Sequence, residues 1–449
     1  MRYTRPFAVA LGLTLPLFVS SCDVDALTGE VLDGSAETDT GALDASVPDP
    51  SAPDASSPTD ASLADSGTRA DADRPAEDTG VPTDAEPPVH EGPPTCPAVV
   101  IEPPPESLGL DPFYTQYVDV RGLPLVGGPG VPEDAFRVAA YTLEQMLVDQ
   151  PCARVGLAEA HVRFGIMGPD DVTTDMPEYS DFYEAFPGTD WDNRGRGFGA
   201  TLTRPLTTGA VENLLQDPTD PWVGENIFLH EVAHSVFEFG VEGAPDGLEQ
   251  RDRLEALYQG AMTQGLWRDT YAATNANEYW AEGVQNHFDN NLSADPPNGV
   301  HNFVDTREEL TDYDPDFADF IAEHMGTRRW PAYCNVEGPS PAWVPPPIPD
   351  LACPQRVRLA ENTGCDVQVL RSQSSELSAS VMVVNQTLQP MTLHWIDFEG
   401  ARAQAYDLGP RNTITLNSFA THGWLLTDAD GVCRGGFVTA EEPTRFIIR

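Results

Sequence analysis

The sequence predicts a domain of mixed α and β structure followed by a small all-β sandwich, with a long disordered tether ahead of both. Three observations support this fold class. An apolar helix near the middle of the chain carries His-Glu-Val-Ala-His over residues 230–234. Short β-rich runs starting at Val381, Met391 and Thr413 follow a proline-rich stretch. Residues 22–95 are dominated by Asp, Ala, Ser, Thr and Pro and contain almost no large apolar residue to bury.

The beginning of the chain has the pattern of an export signal. A positively charged start precedes an apolar stretch over residues 7–19, which is too short to span a bilayer as a mature helix. The residues Val-Ser-Ser-Cys that end at Cys22 resemble a bacterial lipobox, which implies a lipoprotein signal peptide over 1–21 and lipidation of Cys22. A plain signal peptide with an incidental cysteine is the alternative. We therefore expect a lipid anchor at the cell envelope, on the periplasmic or cell-surface side, with residues 22–95 as an extended acidic tether.

Charge and cysteine content restrict the function further. The formal net charge is -46, and all 25 basic residues are arginine, so chemistry that needs a lysine amine is excluded. Such an acidic chain argues against nucleic acid or an anionic membrane surface as a partner. With Cys22 lipidated, six of the seven cysteines remain, which favours three disulfides in an exported protein. Pairing of Cys96 with Cys152 and of Cys365 with Cys433 is favoured among the fifteen connectivities. The six lack the close spacing of a structural zinc site.

The His-Glu-Val-Ala-His pattern predicts a metal site. On a helix, His230 and His234 lie one turn apart on one face and can point two imidazoles at one metal ion. Glu231 then lies beside the metal, where it can take a proton from a bound water. Apolar neighbours on both sides predict a buried helix, and polar side chains buried without partners would be costly. A helix with coincidental histidines is the alternative.

A third ligand is predicted in Asn-Glu-Tyr-Trp-Ala-Glu, which ends at Glu282. Glu278 and Glu282 lie four residues apart, so a second helix would present two carboxylates on one face. Catalytic zinc commonly takes two histidines and one glutamate, so Glu278 is the predicted ligand of one Zn²⁺. Glu282 is predicted to hold a histidine ligand by its free ring nitrogen. A solvated pair of glutamates is the alternative.

These two motifs together resemble the glutamate-zincin metallopeptidases, in particular the lethal-factor-like branch. The resemblance covers residues 96–335 and implies an α+β zincin-type fold and hydrolysis of peptide bonds. It also implies that Tyr271 faces the substrate oxyanion, although a buried core tyrosine is an alternative. The glycine-containing stretch 194–203 is interpreted as an edge strand that holds an extended peptide, with an ordinary sheet edge as the alternative.

The end of the chain is predicted to be a second module. A proline-rich connector spans residues 336–356, and the β-rich runs over 357–449 predict a small sandwich. Several residues resemble the β-domain of the von Hippel-Lindau tumour suppressor, a family in which a pocket grips 4-hydroxyproline. The resemblance implies a ligand pocket formed by Trp395, Tyr406, Ser418, His422 and Trp424. Aromatic walls suit a pyrrolidine ring, and Ser and His suit its hydroxyl. The alternative is that these aromatic residues belong to the core of a sandwich that binds another partner.

Three functions from different classes are compatible with these features. The favoured one is a lipid-anchored, extracytoplasmic zinc endopeptidase whose sandwich recognises protein, in its sharper form a hydroxyproline-containing protein. The second is a non-catalytic envelope binding or adhesion protein with a relict zinc site. The third is a metal-dependent hydrolase that acts on something other than peptides.

Overall fold

The computed structural model describes residues 93–337, 345, 347–348, 352–354 and 357–449. The predicted signal peptide, Cys22, nearly all of the tether and most of the connector lie outside these residues. Among the described residues, no helix combines the length and the apolar character needed to cross a bilayer. The described chain has mixed α and β structure up to residue 337 and β-sheet structure towards its end.

The first part contains one four-stranded sheet. Its strands lie in the order β1-β2-β3-β4, with β1 and β2 antiparallel and the other two pairings parallel. The strand bounds are β1 Gln116–Val120, β2 Leu123–Gly127, β3 Arg163–Met167 and β4 Leu206–Ala210. The helices are α1 Glu133–Leu147, α2 Pro151–Glu159, α3 Phe182–Ala185, α4 Trp191–Arg194, α5 Val211–Leu214, α6 Ile227–Ser235, α7 Gly247–Gln264, α8 Ala276–His287, α9 Arg307–Tyr313 and α10 Pro315–Met325.

Helix α6 forms where the sequence places an N-cap before an apolar run. Asn226 accepts a hydrogen bond from the Leu229 amide at 3.0 Å, which satisfies one of the free N–H groups of the first turn. Phe228 packs over Gly209 of β4, where an added Cβ would lie 2.8 Å from the phenyl ring. A close approach of this kind brings the helix tightly onto the sheet, and a π-helical segment, Val236–Val241, extends it.

Helix α8 lies against α6. Asn275 caps its N-terminus by accepting hydrogen bonds from the amides of Asn277 and Glu278. Trp280 is fully buried, and its indole N–H donates to the Ala233 carbonyl of α6 over 2.8 Å. This bond and the surrounding apolar packing hold the two helices in a fixed relation.

The last part contains two four-stranded sheets. One has the order β11-β10-β7-β8, the other β5-β12-β6-β9, and one hydrophobic cluster draws residues from both. This is the sandwich-like arrangement that alternating apolar residues in short strands favour. The strand bounds are β5 Arg358–Leu359, β6 Ser378–Asn385, β7 Met391–Ile396, β8 Arg402–Leu408, β9 Thr413–Phe419, β10 Gly423–Asp428, β11 Cys433–Val438 and β12 Thr444–Ile448.

Three disulfides are present among the described residues. Cys365 pairs with Cys433, as predicted. The predicted pairing of Cys96 with Cys152 is wrong, because Cys96 pairs with Cys334 and Cys152 with Cys353. The Cys96–Cys334 bond joins the two ends of the first part, beside a parallel bridge between Thr95 and Asn335. The Cys152–Cys353 bond ties α2 to the residues that lead into the sandwich.

One end of the sandwich is attached to the first part by hydrogen bonds. Gln386, which follows β6, donates to the Leu202 carbonyl over 2.9 Å. Arg411, just before β9, donates to the Thr203 carbonyl over 3.2 Å. Burial lowers the pKa of the Arg411 guanidinium, which the carboxylates of Glu178 and Asp181 partly offset. The opposite end of the β6–β9 pair is therefore directed away from these contacts.

Candidate metal centre

The structure brings His230, His234 and Glu278 together. Their candidate ligand atoms all lie within 4.8 Å of one another. The Nε2 atoms of His230 and His234 are 3.0 Å apart, and Glu278 Oε2 lies 3.2 Å and 3.4 Å from them. All three side chains are nearly or fully buried. The i, i+4 spacing on α6 and the packing of α8 against it therefore direct two imidazoles and one carboxylate at one point.

The hydrogen bonds around this point leave lone pairs facing it. The amide nitrogen of Gln285 donates to Glu225 Oε1 over 3.0 Å, so its Oε1 faces His230 Nδ1 at 2.7 Å. In the neutral imidazole, the form that binds a metal, this contact assigns the hydrogen to Nδ1 and directs the Nε2 lone pair at the cluster. Glu278 Oε1 is buried and accepts no hydrogen bond from any described residue. Two imidazoles, one carboxylate and an unsatisfied oxygen fit a cation, and this donor set suits zinc.

The electrostatics of the cluster also favour positive charge. Burial opposes protonation of His230, but its bond to Glu278 and the charges of Glu231, Glu278 and Glu282 raise its pKa to about 10. Against the effect of burial, bonds to both histidines hold the pKa of Glu278 well below its usual range. The site therefore concentrates negative potential, which a metal cation would neutralise.

Two residues of α8 lie near His230 Nδ1, the predicted Glu282 and, closer to it, Gln285. Glu282 Oε1 is 3.5 Å from this nitrogen, whereas Gln285 Oε1 is 0.8 Å closer (3.5 minus 2.7). The other oxygen of Glu282, Oε2, accepts a hydrogen bond from Asn291 at 3.0 Å. Burial is the main reason that the pKa of Glu282 is raised to about 7. Sequence reasoning missed Gln285, although it lies two turns after Glu278 on the same face of α8.

Glu231 and Tyr271 border the same cavity. The cavity has a volume of about 370 Å³, and its lining includes Arg196, Trp222 and His230 as well as these two residues. Glu231 is buried, and the ring centroid of Tyr271 lies 6.3 Å from that of His230. A short 3-10 helix, Tyr271–Ala273, places this tyrosine just before α8. A substrate in the cavity would meet both side chains next to the three candidate ligands.

The glycines of residues 194–203 approach α6 closely. The prediction that this whole stretch forms an edge strand is wrong. Arg194 ends α4, and the stretch has a single antiparallel bridge, from Phe198 to Thr208 of β4. An added Cβ on Gly197 would lie 2.9 Å from Glu231 Oε1. An added Cβ on Gly199 would lie 2.9 Å from the Cβ of His234. The chain therefore passes directly over the helix face that carries the candidate site.

The residues predicted to form a pocket in the sandwich fall into two groups. The rings of Trp395 and His422 are 5.0 Å apart, and Ser418 Oγ lies 3.4 Å from His422 Nδ1. Trp424 lies opposite Trp395 in the β7–β10 pairing, but it is only 3% exposed. Tyr406 packs 6.1 Å from Trp424, at the edge of the core. Trp395 is half-buried, whereas Ser418 and His422 are only 5% and 7% exposed.

Two further residues complete the surroundings of this pocket. Ser372, which sequence reasoning did not identify, accepts a hydrogen bond from the Trp395 indole N–H at 2.9 Å. Ser375 Oγ lies 2.9 Å from His422 Nε2. Burial lowers the pKa of His422, so the ring is neutral near pH 7 and offers a single N–H donor. The structure thus places an aromatic ring beside hydroxyl and imidazole groups.

Comparison with known proteins gives one family match. Residues 370–435 match the family model of the VHL beta domain, so this segment is similar to that domain. No curated protein matches the chain. A solved structure of the Pro-Pro endopeptidase from Paenibacillus alvei aligns with 45% of this chain and 97% of its own, at 15% identity and a TM-score of 0.25. A similarity at that TM-score supports no conclusion about the fold or function of this protein.

Proposed function

We propose that this protein is a zinc-dependent endopeptidase. The observation that supports the proposal is the convergence of His230, His234 and Glu278 on one point, beside a cavity that Glu231 also lines. Two imidazoles and one glutamate leave a coordination position open, as catalytic zinc sites require. The residues that would hold the ion are the same three, with His230 oriented by its bond to Gln285.

The chain's own residues supply the remaining chemistry. A zinc ion in this site would act as a Lewis acid and lower the pKa of a bound water. Glu231 would take the proton of the attacking water and pass it to the leaving amine. Tyr271 would donate a hydrogen bond to the carbonyl oxygen as negative charge develops on it. Trp222 and Phe198 also line the cavity beside these groups.

The substitution Glu231→Gln tests this proposal. It keeps the size of the side chain and removes its ability to accept the proton, so we expect zinc to be retained and cleavage of a peptide library to fall by at least about 100-fold. Zinc content is measured by metal analysis and cleavage by mass spectrometry, with and without a chelator. No digestion by either protein while both hold zinc would favour a relict site in a binding protein, and equal digestion by the two would refute Glu231 as the proton acceptor.

We further propose that the sandwich recognises protein and that its pocket accepts hydroxyproline. The proximity of Trp395, Ser418 and His422 supports this proposal, because it places an aromatic face next to hydroxyl and imidazole groups. Peptides with and without 4-hydroxyproline are compared by calorimetry, with His422→Ala as the variant. We expect at least about tenfold tighter binding of the hydroxylated peptide and loss of this preference in the variant. Equal affinity for the two peptides would refute the proposal.

A lipid anchor at the cell envelope is the third part of the proposal. It rests on the lipobox-like residues that end at Cys22 and on the acidic segment after them. Lipidation of this cysteine would hold the chain at a membrane surface, and the following residues would separate the folded parts from it. The protein would then act on extracytoplasmic proteins or peptides.

A further inference from the structure

Gln285 connects His230 to a second buried carboxylate. Its Oε1 accepts from His230 Nδ1 over 2.7 Å, and its amide nitrogen donates to Glu225 Oε1 over 3.0 Å. Both Gln285 and Glu225 are almost completely buried. A glutamine with both ends engaged cannot turn its amide by 180° without placing a donor against the donor of His230 and an acceptor against a carboxylate. The orientation of this amide is therefore fixed.

Glu225 is itself held on its other side. Its Oε2 lies 3.1 Å from His301 Nε2, and its backbone carbonyl accepts from the Asn213 amide over 2.9 Å. His301 is 5% exposed, and its ring centroid lies 6.1 Å from that of Trp222 on the cavity wall. A continuous series of hydrogen bonds thus runs from His301, which packs against Trp222, through Glu225 and Gln285 to a candidate metal ligand.

We propose that Gln285 is a positioning residue for the metal centre, with Glu225 and His301 fixing its amide. It holds the His230 tautomer that has its hydrogen on Nδ1, so the Nε2 lone pair faces the metal. The inference rests on the proposed function for the presence of a metal. It assigns to a neutral amide the role that a carboxylate commonly has in such sites, since Glu282 lies farther from the ring and accepts from Asn291.

Three variants of the full chain test the inference. Gln285→Leu removes the acceptor at similar volume. The exchange Glu225→Gln with Gln285→Glu restores every hydrogen bond of the series, because the new glutamate accepts from His230 and the new glutamine donates to it and accepts from His301. Asn286→Leu is the matched control: it replaces a buried amide on the same helix whose side chain has no hydrogen bond to the described residues.

The measurement is the dissociation constant for zinc, obtained by competition with a chromophoric chelator. We expect Gln285→Leu to bind zinc about 10- to 100-fold more weakly. The exchange variant should bind within about threefold of wild type, a difference of less than ~1 kcal/mol, and the control should be unchanged. Thermal unfolding of the metal-free proteins checks that each variant is folded.

Wild-type affinity in Gln285→Leu would overturn the inference, as would an exchange variant that binds as weakly as Gln285→Leu. Should Gln285→Leu not fold, Gln285→Glu alone is compared with the exchange variant. The single change opposes two carboxylates without a donor between them, so equal zinc affinities in these two proteins would also overturn the inference. Zinc binding that depends on Gln285 in a protein that cleaves no peptide would refute the proposed function and leave the inference standing. A wild-type chain that binds no zinc would refute both.

Discussion

At Gly197 the backbone passes so close to α6 that a side chain has no room. An added Cβ would lie 2.6 Å from Ile227 Cγ2 and 2.9 Å from Glu231 Oε1. Real Cβ atoms do not approach other atoms this closely, so either the segment or the glutamate must move. Only glycine fits at this position, because any side chain would collide with these neighbours. One of them, Glu231, is the proposed proton acceptor.

Gly197→Ala is expected to lower kcat/KM for peptide cleavage by about 10- to 100-fold, because it displaces Glu231 from the attacking water. The zinc dissociation constant should stay within about threefold of wild type, a difference of less than ~1 kcal/mol, since the three candidate ligands are untouched. Steady-state kinetics and chelator competition measure the two quantities. Gly195→Ala is the control, because an added Cβ there meets nothing within 4 Å. Similar losses in both variants would contradict this explanation.

Single residues of the site differ in how far the sequence determines them. His230, His234 and Glu278 could be predicted because a helix places residues four apart on one face and zinc chemistry needs a third ligand. Gln285 could not be chosen over Glu282, because both lie on the face of Glu278. The choice depends on how α8 is rotated against α6 and on Glu225, a partner distant in the sequence.

Helices α6 and α8 act together, because each carries part of the candidate site. Trp280 ties them at the Ala233 carbonyl, and Glu278 lies in the first turn of α8, where capping fixes the backbone. The Asn275 side chain accepts from two amides of this turn, including that of Glu278 itself. The position of the third ligand therefore depends on a cap three residues before it.

Asn275→Ala is expected to reduce the free energy of unfolding by about 1 kcal/mol, since it removes the acceptor of two helix N–H groups. It should also weaken zinc binding several-fold, because the turn that carries Glu278 becomes less ordered. Asn277→Ala, two residues further along the same helix, is the matched control and should change both quantities little. Urea unfolding and chelator competition provide the measurements. A control as destabilised as the cap variant would show that the cap is not responsible.

Elements were predictable where a local pattern defines them. The runs that start at Val381, Met391 and Thr413 lie in or start β6, β7 and β9, because alternating apolar residues specify a half-buried strand. The stretch 194–203 did not form the predicted strand, since only Phe198 meets a partner in β4. The partners of Cys96 and Cys152 depended on how distant segments fold back, which spacing along the chain does not encode.

At the scale of the whole molecule, the sequence predicts a lipid anchor at Cys22 ahead of the folded parts. If Cys22 is lipidated, Cys22→Ala should move the protein from the detergent-soluble membrane fraction to the soluble fraction, because no acyl chain then holds it. Fractionation followed by immunoblotting measures the distribution, and mass spectrometry of the mature N-terminus detects the lipid. Ser35→Ala, in the acidic segment and outside the lipobox-like residues, is the control. Membrane association that persists in the Cys22→Ala variant would refute the anchor.

Hydrogen bonds from Gln386 and Arg411 attach one end of the β6–β9 pair to the first part of the protein, and Ser418 lies near the other end. Val384 pairs with Thr413 near the attached end, and Ser378 pairs with Phe419 at the far end. At about 3.3 Å per residue, the strands between these ends span roughly 20 Å. If both proposed sites are functional, a short peptide would occupy either the sandwich site or the cavity beside the candidate metal centre. A long fibrous polymer with many modified residues could bind the sandwich at one point and be cleaved at another. Binding would raise the local concentration of the polymer at the candidate active site, so cleavage of long polymers would be favoured over cleavage of short fragments.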